Sequence, residues 1–414
     1  MHILYLCQVV PYPPDAGPKV RAYYTLSYLA FHHEVTLLAF SRPDDPPAAL
    51  DHLRQFCIAV HTVPLQRSTG RNLRHLLASQ LNRRSFIIQR DDLPAMSRKV
   101  EELLATGAFD AVHADQLWMA QYVLHHNNGR GSPVKTVLDE HNACYQIFQR
   151  LAQGESNLAR RFFLNMEWPR LRRFEATALA RFDHVVAVTP EDRQTLQSLL
   201  AEPGSSPDPP DPQFAVIPIC VETAAARPVT SAPAAQDVLH LGTMFWPPNV
   251  EGVLWFARQV WPLVRQQVPG ATFTIAGKNP PPEVRALAGA PASGITVTGY
   301  VADPQPYMQR AAAFIVPLHS ASGMRVKIVD AWRWGLPVVS TSIGAEGIQY
   351  CDGENLLIAD DPPAFALAVV RLLTDPDLNN QLRRNGRRWV ETHYDWQRRY
   401  PAWDLIYPPE RGHL

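Results

Sequence analysis

Cysteine is scarce in this sequence, with five in 414 residues at positions 7, 57, 144, 220 and 351. The number is odd, the positions are scattered and no CxxC pair occurs. Neither a disulfide framework nor a structural zinc site is expected, and reduced thiols in a cytoplasm fit better. No apolar run approaches the roughly 20 residues that span a bilayer. The opening MHILYLCQVVPYPP has no basic n-region and its apolar run ends at Pro11, so it reads as a first strand and not as a secretory leader. An excess of charge is also missing: Lys plus Arg and Asp plus Glu are each 39. A nucleic-acid binder ordinarily shows a basic surplus, so that class is set aside. No nucleophile triad, HExxH helix or run of metal ligands stands out.

What is present is alternation. Short Val- and Ile-rich runs recur at 3–10, 35–40, 57–63, 109–113, 134–138, 184–189 and 214–219, with helical patterns between them. After two stretches rich in Pro, Ala and Ser, at 201–213 and 223–236, the pattern restarts with runs at 238–242, 273–277, 295–298, 314–318 and 338–341. Strands alternating with helices predict parallel α/β sheets, and 414 residues exceed one comfortable core. The expectation is two doubly wound units: residues 1–222, a linker at 223–236, a second unit at 237–392, and a tail at 393–414 that packs back on the first. A helical stretch at 147–181 contains Pro169, where a kink is expected.

The stretch HSASGMRVKIVDAWRWGLP, 319–337, carries the sharpest chemistry. It places Arg325 and Lys327 where a helix begins, expected over 324–335. A helix start already favours anions, so two cations there are costly unless an anion lies between them and the amides. Gly323 lets a backbone approach a ligand closely. Ligands of open α/β sheets bind beyond the carboxyl ends of strands, which is where this loop falls. A diphosphate meets these demands; a solvated helix face is the plainer reading.

These residues carry a resemblance. Ser322-Gly323-Met324-Arg325-Val326-Lys327-Ile328-Val329-Asp330-Ala331, followed by GLPVVST (335–341) and GAEG (344–347), resembles the donor-site segment of glycosyltransferase family 4. PYPPDAGPKVRAYYTLSYLAFHHEV (11–35), VTPEDRQTL (188–196), VIPICVET (216–223), LGTMFWPPNVEGVLWF (241–256), GENLLIADDPPAF (353–365) and HYDW (393–396) are similar to other segments of that family. The resemblance implies a GT-B fold, two Rossmann-like domains with parallel sheets facing across a cleft. It implies a nucleoside-diphosphate-sugar donor, transfer with retention, and no metal or other cofactor.

The departures matter too. Many members carry two glutamates eight positions apart, the second on the ribose and the first near the sugar; here these are Asp330 and Ser322. Many bear an Arg and a Lys after the first strand of the second domain, where this chain has MFWPPN, 244–249. Arg325 and Lys327 are therefore expected to meet the diphosphate alone. Gly17 matches the second glycine of the family's Gly-Gly turn, with Ala16 at the first. Trp246 is expected to face the ligand. The donor set is thus Gly17, Ser322, Gly323, Met324, Arg325, Lys327, Asp330 and Trp246.

In LDEHNACYQ, 138–146, Glu140 and His141 end a strand. The family's matching histidine lies near the donor sugar, so His141 or Glu140 is expected to act there, with Arg325 and Lys327 stabilising the leaving group. His113, Asp115, Lys19 and Arg21 are weaker acceptor-side candidates. The acceptor is expected to be a hydroxyl of a glycan or lipid-linked molecule. For the basic aromatic stretch 159–182 the expectation is burial of Phe162, Phe163, Leu171 and Phe174, with peripheral contact at the inner membrane as the other reading. A nucleotide-sugar epimerase or hydrolase, or a non-catalytic binding relative, remain the alternatives.

Overall fold

The structure, a computed structural model, describes residues 1–409 apart from 16, 67, 127–132, 202–211, 230–235, 245, 290–292 and 321–322. It divides into two compact units: Met1–Ile219 with Arg399–Leu414, and Cys220–Arg398. Both are doubly wound α/β structures.

The first unit is built on seven strands: β1 (His2–Cys7), β2 (Glu34–Ser41), β3 (Ala59–Pro64), β4 (Ala111–Asp115), β5 (Lys135–Glu140), β6 (His184–Ala187) and β7 (Gln213–Val216). Their order is β3-β2-β1-β4-β5-β6-β7 and every pair is parallel. That is the Rossmann order, with its reversal between β1 and β4. Helices cover both faces, so Ile3 to Cys7 are all buried and β1 reads as a continuous apolar run. The tail belongs to this unit. Trp403 and Tyr407 are fully buried. Lys135 Nζ donates to the Ile406 carbonyl at 2.7 Å, and Tyr28 donates its hydroxyl to Asp404 at 2.9 Å.

The second unit has six parallel strands: β8 (Asp237–Leu241), β9 (Thr272–Ala276), β10 (Ile295–Gly299), β11 (Ala311–Val316), β12 (Val338–Ser340) and β13 (Leu357–Ile358), in the order β10-β9-β8-β11-β12-β13. The two-residue β13 is too short to show as a periodic run in sequence. At the edges of this unit Thr223 donates its hydroxyl to Asp395 at 2.5 Å, and Arg387 Nη2 donates to the Thr223 carbonyl at 2.9 Å.

Three helical expectations change. The run at 147–181 is two helices, Cys144–Gly154 and Leu158–Leu179. The break falls at 155–157, where the Asn157 side chain accepts from the Arg160 amide at 3.1 Å. Pro169 lies inside the second helix without ending it. The helix expected over 324–335 spans Val326–Arg333, with Arg325 as its N-cap.

Close backbone approach fixes some positions. A Cβ on Gly277 would overlap the Gly242 carbonyl oxygen, so the ends of β8 and β9 approach as only a glycine at 277 allows. Around Gly154 a Cβ meets nothing within 4 Å. Gly277→Ala is expected to lower unfolding stability in urea by about 1–3 kcal/mol through overpacking, whereas Gly154→Ala stays within about 0.5 kcal/mol of the parent. Equal stability of the two variants contradicts the close approach.

Candidate functional site

In the first unit the parallel register aligns three strand ends. Cys7 of β1 lies opposite Asp115 of β4, and Asp115 opposite Asp139 of β5. His141 follows β5 directly and its Nε2 meets Asp115 Oδ1 at 2.9 Å, with Asp139 Oδ2 more distant at 3.9 Å. Asp115 also accepts from the Tyr5 hydroxyl at 3.3 Å and the Cys7 thiol at 3.3 Å. Burial, reinforced by the Asp115 charge, pushes both the Tyr5 phenol and the Cys7 thiol well up, so both remain donors. The Asp115 contact engages His141 Nε2 and fixes the ring, which leaves Nδ1 as the ring nitrogen able to meet a ligand.

Arg21 does not face a ligand, contrary to expectation. It is fully buried, and its Nε and Nη2 donate to the two Asp139 oxygens at 2.9 and 2.8 Å. Nη1 donates to the Pro218 carbonyl at 2.8 Å, and the guanidinium lies over the Tyr400 and Trp403 rings at 5.6 and 5.2 Å. Burial alone would raise the Asp139 carboxyl; the Arg21 charge and its hydrogen bonds override it and leave it below the usual range.

His113 is also internal. It stacks on Tyr5 at 4.4 Å and its Nδ1 meets the Tyr407 hydroxyl at 2.9 Å. Burial brings its pKa down to about 4, so the ring is neutral. It is a core histidine of this network and not an acceptor contact. Lys19 is half-buried beside Asp15 at 3.7 Å. Gly17 opens the helix Gly17–His32, and Ala16 lies outside the described residues.

Glu140 is corrected by strand alternation. Neighbouring residues of β5 face opposite sides of the sheet, so Asp139 turns to Arg21 while Glu140 turns to Cys144 and Glu175. Glu140 is fully buried. Burial, then the Glu175, Asp139 and Asp192 charges, drive its pKa well up, so it is a protonated acid under the helices. Glu175 accepts from the Cys144 and Tyr145 amides at 2.8 and 2.9 Å, capping that helix. Two triads lie at metal-ligand spacing, Asp115–Asp139–His141 and Glu140–Cys144–Glu175. In the first, Arg21 already neutralises Asp139; in the second, backbone amides engage Glu175.

Gln116 escaped sequence reasoning. It follows Asp115 with φ of 72°, a left-handed conformation uncommon for such a side chain. Its amide donates to the Asp139 carbonyl at 2.9 Å, which ties the ends of β4 and β5 together beside His141.

The second unit gathers the cations. Gly323, with φ of 78°, turns the chain into Met324 and the N-cap Arg325. Gly347 packs against Gly323, where an added Cβ would lie 3.2 Å from the Gly323 carbonyl. So GAEG supports the turn. Lys327 Nζ donates to Asn249 Oδ1 at 2.8 Å, and Asn249 Nδ2 donates to the Thr243 carbonyl at 2.9 Å. Lys327 as a residue is half-buried, yet its ammonium is enclosed: a Cβ on Gly242 would sit 2.9 Å from it. Burial first, and Arg325 second, bring its pKa down to about 7. Sequence reasoning missed Asn249, the residue that aims Lys327; its only signal was a polar residue in the first turn of the helix Pro247–Trp255. Trp246 caps that helix and is 38 % exposed. Asp330 is half-buried and pairs with Arg333 at 2.8 Å. Ser322 lies outside the described residues. The structure therefore joins Gly323, Met324, Arg325 and Lys327 on one turn, and links them through Asn249 to the Trp246 loop.

Comparison with known proteins identifies the family. Residues 16–205 match the model of a glycosyl transferase 4-like domain, and 235–375 that of glycosyl transferases group 1. The chain belongs to the group 1 glycosyltransferases. A curated relative, an uncharacterised 44.6 kDa protein of the cps region of Klebsiella pneumoniae, is 31% identical over 165 residues, 38% of this chain and 42% of that one. The match thus spans about two fifths of the relative's length. Among solved structures, the sucrose-phosphate synthase of Thermosynechococcus elongatus superposes with a TM-score of 0.71 at 17% identity, covering 98% of both chains. HepE of Anabaena, in complex with UDP and glucose, gives 0.66 at 13%, covering 98% of this chain and 100% of that one. WaaG, a glycosyltransferase involved in lipopolysaccharide biosynthesis, gives 0.64 at 15% with 98% and 100% coverage. The shared fold is GT-B.

The low Lys327 pKa has a measurable consequence. An anion at its ammonium raises that pKa, so the complex holds a proton that the free protein partly lacks above about pH 7. Binding of a diphosphate ligand at pH 8 is expected to take up protons, and affinity to fall as pH rises from 7. Calorimetry in buffers of different ionisation enthalpy measures this; no uptake in the parent, or equal uptake in Lys327→Met, refutes the assignment.

Proposed function

We propose that this glycosyltransferase moves a hexose from a nucleoside diphosphate sugar to a hydroxyl of a glycan or lipid-linked acceptor, with retention of configuration. The observation that carries this reading is the Lys327 ammonium, aimed by Asn249 beside Arg325 at a helix start. A diphosphate carries the negative charge and the acceptor oxygens that an ammonium, a guanidinium and helix-start amides bind together. The UDP and UDP-glucose complexes of HepE support uracil as the base.

In this reading Arg325 and Lys327 hold the leaving diphosphate as its charge grows in the transition state. Asp330 accepts from the ribose hydroxyls with the oxygen that Arg333 leaves open, and Trp246 lies against the base or sugar. The first unit serves the sugar and acceptor. Its His141 offers Nδ1 to a sugar hydroxyl, with Asp115 holding the ring. The turn that begins the helix Gly17–His32, with Lys19, lines the ligand's side of that unit. No metal or other cofactor takes part.

Two measurements test it. Arg325→Ala is expected to weaken UDP binding by about 1.5–3 kcal/mol and uridine binding by much less, because the lost contact is charge-assisted. Equal losses detach Arg325 from phosphate.

His141→Ala is expected to cut turnover by about 10²–10⁴-fold, with UDP affinity held within a few-fold. Asp115→Asn, which can no longer accept at every position, should lower turnover about tenfold with a smaller change in KM. Glu140→Gln should keep its turnover, since that acid is protonated and faces away. Mass spectrometry of products from a panel of nucleotide sugars gives the readout. Full transfer by His141→Ala rejects its role.

A further inference from the structure

Two helices of the first unit present exposed apolar side chains. On the helix Thr69–Asn82, Leu73, Leu77 and Leu81 are 57, 59 and 89 % exposed. Steps of four residues place all three on one side of the helix. At the start of the helix Leu158–Leu179, Leu158 and Phe162 are 81 and 72 % exposed, again one turn apart. Leu171 is buried and Phe163 and Phe174 partly so, but Phe162 departs from the burial expected of it.

The two helices are joined. Arg170 Nη2 donates to Gln80 Oε1 at 3.2 Å, and the Phe86 and Phe163 rings meet at 5.9 Å. The Glu167 carboxylate accepts from the Ser85 hydroxyl at 2.5 Å and the Ile87 amide at 3.0 Å. Single exposed leucines are ordinary, but five large apolar side chains on two linked helices are not.

Charge completes the picture. Residues 65–90 hold six arginines and neither aspartate nor glutamate, in a chain whose acids and bases are equal in number. Residues 158–173 add five arginines against one acid, Glu167, and that acid is buried. Arg74, Arg83, Arg84, Arg160 and Arg161 are exposed around the apolar residues.

We propose that this face seats the first unit on an anionic lipid bilayer. Leucine and phenylalanine enter the acyl boundary, and the arginines meet lipid phosphates. Nucleic acid would satisfy the arginines and leave five apolar side chains in water. A second copy joined through the same face would set arginines against arginines. Among the described residues no helix is long and apolar enough to cross a membrane, so the contact is interfacial.

The proposal is independent of the transfer reaction, and so is its test. The parent protein is sedimented with vesicles of equal parts phosphatidylglycerol and phosphatidylcholine, and with phosphatidylcholine alone. Pelleting with the first and not the second is expected, weakened by salt. The double variant Leu77→Asp with Leu81→Asp, and separately Phe162→Asp, should lower partitioning about tenfold or more. All three positions are exposed, so melting temperature and UDP binding stay unchanged. Parent protein left in the supernatant, or variants that pellet like the parent, overturn the proposal. So does a parent dimer that the substitutions convert to monomer, since a second copy would then cover the face.

Discussion

A guanidinium with no exposed surface, Arg21, organises the first unit. Taking that charge and the Asp139 charge out of water costs several kcal/mol each, and mutual attraction offsets this only when geometry is favourable. The geometry here is a two-pronged pair, with the Pro218 carbonyl on the third nitrogen and two tail rings over the plane. Helix, sheet, the end of the first segment and the C-terminal tail all converge on one side chain. Removing either partner would strand the other charge at a cost of about 3–5 kcal/mol.

The placement of His141 depends on that pair. With both Asp139 oxygens engaged, His141 turns to Asp115 at 2.9 Å. The second unit handles its cation differently. An amide oxygen, Asn249 Oδ1, aims Lys327, and burial brings its pKa down to about 7. One unit holds charge by pairing it, the other by letting a proton leave. The first arrangement is permanent. The second is provisional and becomes favourable when an anion arrives, which suits the reversible binding of an anion.

Much of this was legible in the sequence because parallel strands are buried on both faces and read as plain apolar runs. The site loops follow from the strand ends, so Gly323, Arg325 and Lys327 were found through position as much as through residue type. Side-chain direction was harder. Asp139, Glu140 and His141 are consecutive, and one residue of register decides which meets Arg21 and which is sealed beneath helices. Arg21 looked like a loop cation because its partner lies 118 positions away. Asn249 and Gln116 act through one amide each and leave no pattern to detect. The tail's aromatics were legible as a packing element, but not that they would cover a guanidinium.

Averages hid a different feature. A formal charge of zero over 414 residues is a statement about the whole chain. Surfaces respond to charge within about a Debye length, roughly 8–10 Å in physiological salt. Five arginines within residues 65–84 make a local field that balanced acids elsewhere do not cancel, while Arg90 pairs with Asp91 at 3.7 Å. The same averaging conceals Glu167, which counts as a surface acid in the sequence yet is spent on capping the helix Phe86–Arg90. Burying that one carboxylate joins two helices, removes the negative charge between them, and leaves their cations and leucines facing outward together.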